Sequence, residues 1–150
     1  MPVIHTNQHG FTLLEVLLSV GIISILVGLS LPLYQSFQTR SDLDATTQGV
    51  ADALRRAQSY AREGNGDSVW GFSIQSTAFY IYKGATFASR DTAYDEPFNL
   101  TSSSVVSDDL SGVTFSKLTG VPSITGSIVL KNGNNETRTI TLNAKGMVNY

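Results

Sequence analysis

The sequence predicts an α+β fold, a long N-terminal α-helix packed on a small antiparallel β-sheet. Residues 16–37 read VLLSVGIISILVGLSLPLYQSF, an apolar run without a charged residue. Leu43, Val50, Leu54, Ala57 and Ala61 then recur at spacings that keep one helix face apolar. From Val69 onward the period switches toward two, in segments rich in aromatic and β-branched residues. One helix whose first half is apolar all round and whose second half is amphipathic, followed by strands, accounts for all three observations.

The helix comes first. At about 1.5 Å per residue, the run 16–37 would extend about 33 Å, enough to cross the hydrocarbon core of a bilayer. Glu15 stands just inside the apolar region, and no other charge follows until Arg40. A carboxylate there is expensive in lipid and needs compensation, either by snorkelling to the interface or by an opposite charge. Pro32 lies late in the run, where it loosens the helix or merely kinks it. Gly21 and Gly28 are seven apart and could permit close helix approach, or could be filler. Further on, Asp42, Asp44, Asp52, Arg55, Arg56 and Glu63 occupy the face opposite the apolar stripe. Gly64-Asn65-Gly66 stops the helix, with Arg55, Arg56 and Arg62 in the last turns, where cations suit the dipole. The arginines therefore read as helix-end chemistry rather than as a ligand site.

Residues 69–74 and 78–82 read as two strands joined by the short turn Gln75-Ser76-Thr77. Residues 83–97 are polar and read as a surface loop, and 102–109 as a second loose stretch relieved only by Val105 and Val106. Order returns with strands at 112–115, 126–130 and 137–142, separated by turn chemistry at 132–135 and 143–146, and with a last short strand at 147–150. The expected arrangement is an antiparallel meander.

The segment before the helix carries the most specific signal. An ordinary secretory leader places its cleavage site beyond the apolar core; here the candidate cut precedes it, at Gly10, so the apolar helix would survive processing. Gly10-Phe11-Thr12-Leu13-Leu14-Glu15, with Pro32 late in the apolar run, resembles the class III signal of type IV prepilins and type II secretion pseudopilins. The resemblance implies a pilin-like fold and cleavage between Gly10 and Phe11 by a prepilin peptidase. It also implies N-methylation of the Phe11 amine, and assembly of subunits with Glu15 opposite the Phe11 amine of a neighbour. Two desolvated opposite charges compensate each other better than either does alone. The leader's only cationic groups are His5, His9 and the α-amino group, so orientation by positive charge is weakly encoded. The C-terminal part, from Val113-Thr114-Phe115 through Gly146-Met147-Val148, is loosely similar to the minor pseudopilin H and fimbrial T group.

Residues 1–10 are then a leader, 11–38 a hydrophobic transmembrane and assembly helix, 39–64 the amphipathic half of the same helix, and 65–150 a globular antiparallel β domain. The expected partners are other pilin or pseudopilin subunits, the peptidase that also methylates, and an inner-membrane assembly platform. The expected location is a single pass of the bacterial cytoplasmic membrane with the globular domain outside the cytoplasm, and then an extracellular pilus or periplasmic pseudopilus.

Composition excludes several other classes. The two histidines lie in the leader and the chain has no cysteine, so a processed chain would hold neither residue for acid-base, nucleophilic or zinc chemistry. No enzyme and no cofactor are expected. Asp91, Asp95 and Glu96 are a weak calcium candidate, because their spacing is not that of an EF-hand and a solvated acidic loop explains them better. Two alternatives to a structural subunit stand beside it: a minor pilin that binds DNA for uptake, and a membrane-anchored protein that never polymerises. Net charge is −2, and the segment after the helix sets Lys83, Arg90, Lys117, Lys131, Arg138 and Lys145 against seven acids, so nucleic acid is an unfavoured partner.

Overall fold

The computed structural model describes residues 10–100 and 103–150, with 29–33 and 103–108 as backbone only. The chain forms two compact units, Met1–Ser36 and Phe37–Tyr150. A single helix, α1, runs over Leu13–Arg62 and contributes to both.

In the first unit, every described large apolar side chain of α1 is exposed, from Leu13 and Leu14 through Ile25 and Val27. The serines in this stretch do not need water. Ser19 and Ser24 donate their hydroxyls to the carbonyls of Glu15 and Val20 at 2.7 Å, each one turn back along the helix. Among the described residues no helix is long and apolar enough to cross a membrane. The side chains of residues 29–33 lie outside the described residues, so the expected span over 16–37 falls partly outside them.

In the second unit, α1 turns Leu43, Thr47, Val50, Ala51, Leu54, Ala57, Gln58 and Ala61 inward, all buried. Spacings of three and four put them on one stripe. Three of them are alanine, which lets the backbone lie close to what it packs against. The strands are β1 (Trp70–Ile74), β2 (Ala78–Lys83), β3 (Asp91–Asn99), β4 (Ser103–Asp108), β5 (Gly112–Phe115), β6 (Gly126–Asn132), β7 (Thr137–Leu142) and β8 (Val148–Asn149). They form two four-stranded sheets, ordered β3-β2-β1-β5 and β4-β6-β7-β8, with every pair antiparallel. One core is shared: Phe72, Ile81, Val113 and Phe115 of the first sheet and Ile128, Leu130, Ile140 and Leu142 of the second are buried together with the helix stripe.

The α+β class and the long helix on antiparallel strands are as expected, and three expectations are corrected. Residues 83–97 are not wholly a loop, since β3 occupies Asp91–Asn99 and pairs with β2 at Phe79↔Phe98 and Ile81↔Glu96. It is an edge strand with mostly exposed residues, so it lacks the apolar alternation that marks a strand, and an edge is where Pro97 is tolerated. Residues 102–109 are not loose either: β4 pairs with β6 along the edge of the second sheet, its serines and aspartate hiding the strand. Nor is the order a plain meander. The chain passes from β3 to β4 in the other sheet, back to β5 beside β1, and then to β6. The step from β4 to β5 is three residues long and buries Leu110 completely in the core.

The C-terminal end of α1 is held by backbone turns. Gly64 takes the left-handed conformation at φ 65°, and the Leu118 N–H donates to the Ala61 carbonyl at 2.8 Å. Gln58, buried, donates its amide to the Gly120 carbonyl at 2.9 Å and, more weakly, to that of Lys145 at 3.4 Å. Gly146 follows with φ 78°, and a Cβ there would run into the Gln58 amide. Gly146→Ala is therefore expected to destabilise the fold by about 1–3 kcal/mol, through backbone strain and overpacking together. Gly133→Ala, at a position open to solvent, is expected to leave stability unchanged. Equal denaturant midpoints for the two variants would refute the keystone role of this turn.

Candidate functional site

Gly10, Phe11 and Thr12 precede the first turn of α1 in non-helical conformation. Thr12 is its N-cap. The Glu15 N–H donates to Thr12 Oγ1 at 3.2 Å, while the Val16 N–H donates to the Thr12 carbonyl at 3.2 Å as the first bond of the helix. Thr12 and Glu15 thus stand at the two positions of a capping box. Thr12 is the residue that sequence reasoning misses, although the spacing Thr-x-x-Glu ahead of an apolar run is a signal that identifies it.

Phe11 is 82 % exposed. Among the described residues, a methyl group on Gly10 would touch nothing, and Gly10 does not adopt a left-handed φ. Nothing in the described fold therefore requires glycine at this position. Glu15 is exposed, and among the described residues no cation or hydrogen-bond donor engages its carboxylate. Gly21 and Gly28 are also open: among the described residues nothing lies within 4 Å of where a methyl group would stand. Pro32 belongs to residues 29–33, whose side chains are outside the described residues. His5 and His9 also lie outside them.

The acidic candidates are kept apart. Asp95 accepts from Arg90 Nε with both oxygens, at 3.0 and 2.8 Å. Glu96 accepts from Arg56 at 2.5 Å and from the Tyr60 hydroxyl at 3.0 Å, and Asp91 accepts the Ala93 N–H at 3.1 Å. Adjacent strand residues point to opposite faces, which separates Asp95 from Glu96. Among the described residues no group of three or more potential metal ligands is assembled. Two of the arginines near the helix end, Arg55 and Arg56, are engaged inside the second unit. Arg55 pairs with Asp52 at 3.0 Å and donates to the Val148 carbonyl at 3.2 Å. Arg56 lies 5.9 Å from the Phe98 ring centre; its hydrogen bond with Tyr60, and then the Glu96 charge, hold its guanidinium above the ordinary value against the opposing effect of burial. Arg138 reaches back to Asp44 at 2.8 Å. Arg55, Arg56 and Arg138 thus tie helix to strands.

Among the described residues, the stretch from Gly10 to Leu26 buries no side chain: it holds a scissile candidate ahead of the helix, a capped helix start, a carboxylate with no partner among those residues, and exposed apolar side chains. Residues 5–31 match the prokaryotic N-terminal methylation motif, the class III signal peptide found in type IV pilins and pseudopilins. Among curated proteins and solved structures nothing matches the chain.

Proposed function

Because the chain carries the processing signal of the type IV pilin and pseudopilin family, we propose that it is a structural subunit of a type IV pilus or type II secretion-like filament. The leader 1–10 is cut between Gly10 and Phe11 by a prepilin peptidase, and the new Phe11 amine is methylated. The segment 11–38 stays in the cytoplasmic membrane in a single pass, with the globular domain 65–150 outside the cytoplasm, until an inner-membrane assembly platform adds the subunit to the filament. Glu15 then faces the Phe11 amine of the neighbouring subunit, and Pro32 loosens the helix where it leaves the lipid. The chain acts by polymerising, not by catalysis.

The observation that carries this reading is the Glu15 carboxylate, without a partner among the described residues, at the start of a helix whose large apolar side chains from Leu13 to Val27 are all exposed. None of the described residues compensates that charge in a dry environment or covers that surface. Lipid covers the surface before assembly, and identical helices cover it afterwards. Co-expression with a prepilin peptidase, followed by N-terminal sequencing of the membrane-bound chain, tests the first step. Phe11 is expected as the first residue. A chain that still begins at Met1, under conditions where a known prepilin is cut, would sink the reading.

A further inference from the structure

The N-cap sits two residues past the scissile bond that the proposed function requires. In an α-helix each N–H bonds to the carbonyl four residues back, so two more residues at the start of α1 would give the Gly10 carbonyl to the Leu14 N–H and the Phe11 carbonyl to the Glu15 N–H. The carbonyl to be attacked would then lie inside the helical ladder. Water and side-chain partners are scarce where an apolar helix enters lipid, so unpartnered N–H groups favour that extension. In this structure the Glu15 N–H is already taken by Thr12 Oγ1, and the helix starts at Leu13.

We infer that Thr12 is a positioning residue for leader removal: its hydroxyl caps α1 and so keeps the Gly10–Phe11 amide extended and open to a peptidase. The inference rests on the processing reading above. It gives the signal a second physical meaning, since Phe11 and Val16 occupy the two positions of a hydrophobic staple around the Thr12 and Glu15 positions of a capping box. The signal is also a helix-start signal. Gly10 acts in the same direction, because glycine resists incorporation into a helix. The hydrolysis itself is ordinary: the Gly10–Phe11 C–N bond breaks, the hydroxyl of water goes to the Gly10 carbonyl carbon, and the proton goes to the Phe11 nitrogen.

The test is the cleavage rate of the full chain in membranes by a prepilin peptidase, for wild type, Thr12→Val, Thr12→Ala, Thr12→Ser and Thr12→Asn. Valine keeps the shape of threonine without the hydroxyl, whereas serine and asparagine change the shape and keep a capping oxygen. The expected pattern is near wild-type cleavage for serine and asparagine, and cleavage slowed about fivefold for valine and alanine. Equal rates for all five chains would overturn the inference and leave the processing reading standing. Rates that follow side-chain shape, with valine fast and asparagine slow, would overturn it in favour of direct contact with the peptidase. An uncut wild type would remove the processing reading and this inference with it.

Discussion

Gly10→Val is expected to yield a chain that reaches the membrane, folds, and keeps residues 1–10. Within the described residues a side chain at position 10 meets open space and no left-handed backbone has to be accommodated. Stability of the strand domain is therefore expected to be unchanged. The loss falls on the peptidase, which must bring the scissile backbone close to its own catalytic groups. A branched Cβ next to the cut holds that backbone away, and a displacement of about 1 Å at a reacting bond costs about a hundredfold in rate. On gels of membranes expressing the peptidase, the variant should remain at precursor size while wild type moves to the mature size. Normal maturation of Gly10→Val would show that glycine is not read at the cut.

Glu15→Gln is expected to abolish assembly as thoroughly as Glu15→Ala, and the pair separates two roles of one residue. Glutamine at this position still suits a capping box with Thr12, so the helix start survives. What it lacks is charge. If the carboxylate pairs with a neighbour's Phe11 amine, either substitution leaves that amine unpaired and desolvated, a penalty of about 3–5 kcal/mol at every subunit contact. The measurement is the fraction of the chain recovered in sheared filaments against the total in membranes, with leader removal checked on the same samples. Filament yields at wild-type level for Glu15→Gln would mean that Glu15 serves the helix start alone.

The helix and the segment before it are legible in the sequence for a physical reason. The apolar stripe Leu43, Val50, Leu54, Ala57 and Ala61 is buried throughout, and a helix that covers a core has to show its period. Central strands show theirs as well: Trp70, Phe72 and Ile74 of β1 alternate with Gly71 and Ser73, and all five are buried. Edge strands do not. β3 is mostly exposed, contains Pro97 and is anchored by Phe98, which stacks on Phe79 at 5.1 Å between ring centres, a contact between strands that no local window reveals. The crossing between sheets is also hidden, because Leu110 looks like a single apolar residue in a polar turn until the two sheets close over it. The acids of β3 read as solvated in the sequence because the partners of Glu96, Arg56 and Tyr60, lie far away on α1. At the candidate site, Gly10, Phe11 and Glu15 stand out by residue type and spacing. Thr12 is marked only by its spacing to Glu15, and its role rests on one hydroxyl bond that takes effect once the helix has formed.

In the proposed function the chain loses its leader, keeps its apolar helix and enters a filament. Intact-mass measurement of the chain recovered from sheared filaments tests all three parts at once. The expected species begins at Phe11, lighter than the translated protein by residues 1–10 and heavier by the net CH2 that one N-methylation adds. A filament-borne chain that still carries Met1, or a processed chain that stays in the membrane and never enters filaments when the assembly machinery is present, would contradict it.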